Sequence, residues 1–165
     1  FMNQPEVWLR GPLEDISPTL MPVAHALLQA IEDVEVAADL THEQLWTKPG
    51  SAASVGFHLR HIVGSMDRLL TYADGQQLSE EQLSFLRSEE TPVADAQQLI
   101  IEAQAAIKNV VEILRNTKHE QLFEPRNVGR KNLPSTVIGL LYHIGEHTSR
   151  HAGQLKKKKK IVRDL

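Results

Sequence analysis

"SVGFHLRHIVGSMDRLLTYADG", residues 54–75, contains both ends of a helix and its buried stripe. Ser54 is an N-cap residue type, whose hydroxyl accepts from the free amides of a first turn. Val55, Leu59, Ile62, Val63, Met66, Leu69 and Leu70 recur at the three- and four-residue spacing of one helical face. Gly75 supplies the left-handed residue on which helices commonly end. A helix that is apolar along one stripe and polar elsewhere must bury that stripe against other elements.

The flanking sequence offers three more segments of the same kind. Upstream, Thr19 to Leu40 places Val23, Leu27, Leu28, Ile31, Val34 and Leu40 at helical spacing, with Glu32, Asp33 and Glu35 between them. Residues 1–18, with Pro5, Gly11, Pro12 and Pro18, read as an irregular lead-in. Thr41 opens a short turn in the T-x-x-Q capping pattern, and Pro49-Gly50 breaks the chain before Ser54. Downstream, residues 76–90 form a polar connection with room for one short helix. Thr91-Pro92 supplies an N-cap and an N1 proline for a third long helix through Leu99, Ile100, Ala103, Ile107, Val110, Val111 and Leu114. Residues 119–134, with Pro125, Gly129 and Pro134, read as a long loop, after which Ser135 or Thr136 caps the fourth helix. Four amphipathic segments without strand alternation or internal repeat predict an all-α four-helix bundle, with little or no sheet, as a single domain over 1–165.

Composition narrows the function classes. The 165 residues suffice for a core without covalent staples, and no apolar run approaches the length of about 20 residues that spans a bilayer. There is no cysteine, which excludes disulfides, iron–sulfur clusters and thiolate zinc sites, so any metal must be held by His, Asp or Glu. No basic segment followed by an apolar one opens the chain, so a cytoplasmic protein starting naturally at Met2 is expected. The net charge of −3 includes Lys156 to Lys160; without them 13 basic residues face 21 acidic ones, a balance of −8. A net positive balance found only in the basic tail 156–165 argues against a nucleic-acid partner and suits a solvated helix end. A helix continuing past Leu155 would turn Lys158 and Lys159 toward the core, so either the helix stops near there or the homopolymer is not native to the chain.

Five of the eight histidines fall on the second and fourth helices: His58, His61, His143, His147 and His151. At about 100° per residue, His151 lies about 20° from Ile144 and His147 about 60° from it, both on the apolar side of the fourth helix, while His143 drifts to about 100°. A lone inward histidine is usually a satisfied core residue, but two at i and i+4 bring both imidazoles over one point of the helix surface, the spacing by which helices bind zinc. The second helix offers two candidates for a third nitrogen, and periodicity favours His58 over His61. Thr148 stands where a zinc peptidase helix carries its glutamate base, which argues against a peptidase, and no Glu has a His three residues later, so di-iron oxygen chemistry drops out. Glu146 and Asp67 fall on polar faces, which leaves no carboxylate evidently placed to activate water unless the first helix or the loops supply one.

"SVGFHLRHI" followed by "LLYHIGEHTSRHAGQL" resembles the DinB/YfiT-like superfamily, bacterial four-helix bundles with a serine-to-histidine motif in helix two and H-x-x-x-H-x-G-Q in helix four. The resemblance implies an up-down-down-up bundle and a divalent metal, zinc or nickel, on three histidines, which fall here on His61, His147 and His151. It makes His58, His143 and Gln154 candidates for the substrate cleft. It further implies a metal-dependent S-transferase using a low-molecular-weight thiol, with a metal-dependent hydrolase or a non-enzymatic metal-binding stress protein as alternatives. A homodimer is expected, with a small-molecule substrate and neither nucleic acid nor membrane as partner.

Overall fold

Side-chain caps mark where every α-helix but the first begins; the first begins behind Leu20 with Pro22 in its first turn. The computed structural model describes residues 4–165, and the expected start at Met2 lies outside them. Six α-helices are formed among the described residues: α1 (Met21–Val34), α2 (His42–Trp46), α3 (Val55–Ala73), α4 (Glu80–Ser88), α5 (Ala96–Asn116) and α6 (Val137–Arg163). Ser54 accepts from the Phe57 amide and starts α3, and Asp74 and Gly75 (φ 77°) end it as the sequence predicts. Thr41 and Gln44 form a reciprocal capping box on α2, and Ser79 with Gln82 does the same on α4, the short helix expected in the 76–90 connection. Thr136 caps α6 by accepting from Gly139.

Three expectations are corrected. The first helix ends at Val34 and tightens into a 3-10 turn over Glu35–Ala37 rather than running to Leu40, although Leu40 still joins the core. α5 starts behind Asp95, which accepts from Gln98, and not at Thr91-Pro92; Asp95 caps directly where the apolar stripe begins. The expected loop at 119–134 holds a 3-10 turn, His119–Gln121, and a hairpin of β1 (Pro125–Val128) antiparallel to β2 (Leu133–Thr136), with Pro125 opposite Thr136. Gly129 (φ 71°) and Asn132 (φ 50°) take the left-handed conformations its turn requires. Arg126 Nε donates to the Ala73 carbonyl at 2.6 Å, pinning the hairpin to the end of α3.

α1 packs on α5 and α6, and α3 packs on the same two, so four long helices ring one core in the order α1–α6–α3–α5. Leu27, Leu59, Ile62, Ile100, Ile107 and Leu141 are buried in it. α6 does not stop near Leu155. It continues through the lysines because the inward-turned side chains bring their ammonium groups to polar partners. Lys159 Nζ reaches Asp39 Oδ1 at 2.9 Å, and Lys158 Nζ donates to His58 Nε2 at 2.8 Å. No helix among the described residues is long and apolar enough to cross a membrane.

Candidate metal centre

The Ser54 cap sets the rotation of α3, and the packing of α3 on α6 turns His61 toward the helical pair His147 and His151. One ring nitrogen of each lies within 4.8 Å of the others. Nε2 of His61 faces Nε2 of His147 at 3.3 Å, and the His151 ring centroid is 4.5 Å from that of His61 and 4.4 Å from that of His147. Outer nitrogens are engaged elsewhere: His61 Nδ1 lies 2.6 Å from Glu89 Oε2, and His151 Nδ1 lies 2.8 Å from His58 Nδ1. His147 Nδ1 is buried without a partner among the described residues, as is the Thr148 hydroxyl. Phe57 stacks on His61 at 5.1 Å and 15°, covering one side of the cluster.

Both sequence arguments about the second helix describe a real feature. His58, favoured by periodicity, is the buried residue at 2% exposure, and it supports His151 from behind. His61 sits half-buried at the rim, where it meets the α6 pair. His143 is exposed beside His147, with ring centroids 5.3 Å apart and its Nδ1 3.2 Å from Glu146 Oε2. Gln154 is exposed and is not among the three residues that converge.

Burial pushes the imidazoles down: His58 and His147 to about 4 and His151 to about 3, with mutual repulsion and neighbouring cations adding to the shift. At neutral pH these rings are uncharged, the form in which an imidazole can bind a cation. Two Nε2 atoms facing each other, with a third imidazole beside them, form the nitrogen donor set that suits zinc or nickel. The residues present therefore fit a divalent metal.

Sequence reasoning missed Glu89. It is the C-cap residue of α4, 1% exposed, and its carboxylate bonds both His61 and Arg68. No periodic signal marks it, because it belongs to a connection and not to a stripe. Lys158 was seen as an oddity of the tail, without its contact to His58.

The sequence profile of the DinB superfamily matches residues 25–155. The chain belongs to the DinB superfamily. Solved structures agree on the fold. A DinB-like protein from Bacillus cereus ATCC 10987 is 19% identical with a TM-score of 0.60, over 81% of this chain and 89% of its own. A Streptococcus pneumoniae protein is 15% identical with a TM-score of 0.64, over 90% and 92%. YfiT from Bacillus subtilis, described as a probable metal-dependent hydrolase with an unusual four-helix bundle topology, is 17% identical with a TM-score of 0.58, over 89% and 91%. No curated protein matches this DinB chain by sequence.

Proposed function

We propose that His61, His147 and His151 hold one divalent cation, zinc or nickel, and that the protein is a metal-dependent transferase using a low-molecular-weight thiol. The observation that carries this reading is the convergence of three imidazoles from two helices while the nearby carboxylates are committed elsewhere. When bound, a divalent cation supplies Lewis acidity that lowers the pKa of a thiol or water completing its shell. Glu89 is taken by His61 and Arg68, and Glu146 by Arg150 and His143, so neither stands free as a base. A thiol, with its low intrinsic pKa, needs none. The chain has no cysteine, so the sulfur must come with the co-substrate. The reading carries with it the single domain and the up-down-down-up helix order. Among the four long helices, α1 and α3, and likewise α5 and α6, pack on the members of the other pair rather than on each other, as the long connections between them permit.

One observation favours hydrolysis as a second reading. His143 beside His147 has its Nδ1 on Glu146, which leaves Nε2 as a proton acceptor oriented by a carboxylate. The YfiT description belongs to that class.

A single panel separates the readings. The protein is loaded with zinc or nickel and offered bacillithiol, mycothiol or glutathione with 1-chloro-2,4-dinitrobenzene, and thiol consumption is followed. Consumption above the metal-only control that disappears in His147→Ala supports the transferase. Turnover of 4-nitrophenyl acetate without thiol consumption replaces it with the hydrolase, and neither reaction leaves a metal-binding protein.

A further inference from the structure

Resting on the metal reading above, we infer that Glu89 is the positioning residue of the centre: its carboxylate, gripped by Arg68 in the space that Gly64 leaves open, fixes His61 with Nδ1 protonated and Nε2 turned toward the cation.

A carboxylate at 1% exposure is held only if both oxygens are satisfied, and each oxygen of Glu89 has its own partner. Oε2 accepts from His61 Nδ1 at 2.6 Å and Oε1 accepts from Arg68 Nη1 at 2.8 Å. His61, Gly64 and Arg68 occur at i, i+3 and i+7, one face of α3, so a single helix surface forms the cradle. A Cβ at position 64 would lie 2.5 Å from Glu89 Oε1 and 2.7 Å from Arg68 Nη1, so the cradle exists because residue 64 is glycine. The chain on either side of Glu89 is fastened separately. Arg60 donates to the carbonyl oxygens of Ser88 and Thr91 and lies 4.9 Å over the Phe85 ring.

Such enclosure is weak evidence for a stabilising role, because a buried ion pair roughly offsets its own desolvation. It is well suited to orienting an imidazole. A carboxylate accepting Nδ1–H selects the tautomer with its lone pair on Nε2, makes that nitrogen more basic, and stops the ring from turning. The three candidate ligands are supported unequally: His61 by a carboxylate, His151 by His58, and His147 Nδ1 by no partner among the described residues. Glu89 thus supplies the one anionic contact to the triad's outer nitrogens.

Glu89→Gln tests the role with little change in shape. The new amide has one acceptor: it either gives up one partner, or keeps Arg68 on its oxygen and donates to His61 Nδ1, which moves that ring's proton to Nε2, away from the arrangement a cation needs. Zinc affinity is measured by competition with a chromophoric chelator, beside the thermal midpoint of the metal-free protein. The expected result is zinc binding weakened by about 10- to 100-fold. Unchanged zinc affinity, whatever the midpoint, overturns the inference, because a purely structural residue would move only the midpoint. Should Glu89→Gln fail to fold, long-range 1H–15N spectra of the zinc-loaded wild type decide. His61 is expected to be protonated at Nδ1 and metal-bound at Nε2, and coordination through Nδ1 overturns the assignment. A wild-type protein that binds no zinc or nickel defeats the metal reading itself, an outcome distinct from a wild type that binds and a variant that binds equally well.

Discussion

Gly64→Ala adds one methyl group to the interior face of α3 and puts opposing terms in competition. On an exposed helix the change is favourable by about 0.8–1 kcal/mol, because alanine loses less backbone entropy than glycine. At position 64 the new carbon meets Glu89 Oε1 at 2.5 Å, Arg68 Nη1 at 2.7 Å and Phe85 Cε1 at 2.7 Å. These are side-chain ends that in a looser setting would swing aside. Here Glu89 and Arg68 are bonded to each other and buried, so moving one strands a charge. Overpacking costs about 1–3 kcal/mol, and separating a buried pair costs about 3–5 kcal/mol. With partial relaxation, a net loss of about 2 kcal/mol is expected, which for a domain of this size lowers Tm by about 4–8 °C. The assay is thermal unfolding followed by circular dichroism with chelator present, so that bound metal does not contribute. Gly153→Ala on α6 is the control: nothing lies within 4 Å of its added carbon, so only the helix gain applies and Tm should rise slightly. A Gly64→Ala protein as stable as that control would show that the carboxylate does not occupy the face of α3, and the cradle argument would fall.

Other expectations are simpler. His147→Ala should abolish stoichiometric zinc or nickel binding by elemental analysis, and wild-type metal content in that variant would rule out the triad. The metal-free protein should lose stability as pH falls from about 6.5 toward 4, because the unfolded chain protonates its histidines near 6.5 while the folded state resists. Burial holds His58 and His147 at about 4 and His151 at about 3, so unfolding takes up protons in that window and none from these groups above it. Urea midpoints at pH 7 and pH 5 with chelator present check the sign, and equal midpoints would refute it. Asp95→Ala should cost about 1 kcal/mol as a lost cap, whereas Thr91→Ala should stay within about 0.5 kcal/mol by chemical denaturation. Self-association is checked by light scattering, where a mass near 18.5 kDa at micromolar concentration refutes it.

What the sequence revealed depended on whether the cause was local. Ser54, Thr136, Gly75 and the apolar stripes act within one or two turns, so the long helices and two of their caps were legible. Thr91-Pro92 misled because two capping signals stand four residues apart, and it is Asp95 that accepts from the amide three residues on, that of Gln98. The hairpin was hidden because the strands PRNV and LPST are mostly polar, with no buried residue and no apolar alternation in their sequence; the Gly129 and Asn132 of the turn were the available clue. The α6 histidines announced themselves by spacing, whereas choosing His61 over His58 needed family resemblance, since burial and access to the cleft differ. Glu89 was beyond reach, because a contact spanning 28 residues from a connecting segment leaves no local pattern.

The two halves of the histidine cluster are 86 residues apart along the chain. During synthesis the amino-terminal part emerges first and folds first, so His61 exists for much of translation without its counterparts. α6 is also the helix that closes the ring between α1 and α3, so the core and the cluster are completed by the same late event. A chain halted before residue 147 has α1, α3 and α5 but lacks most of the helix that packs between α1 and α3, and its His61 has Glu89 without the two α6 imidazoles. On the metal reading proposed above, the triad can take up its cation only after α6 has been made and has docked.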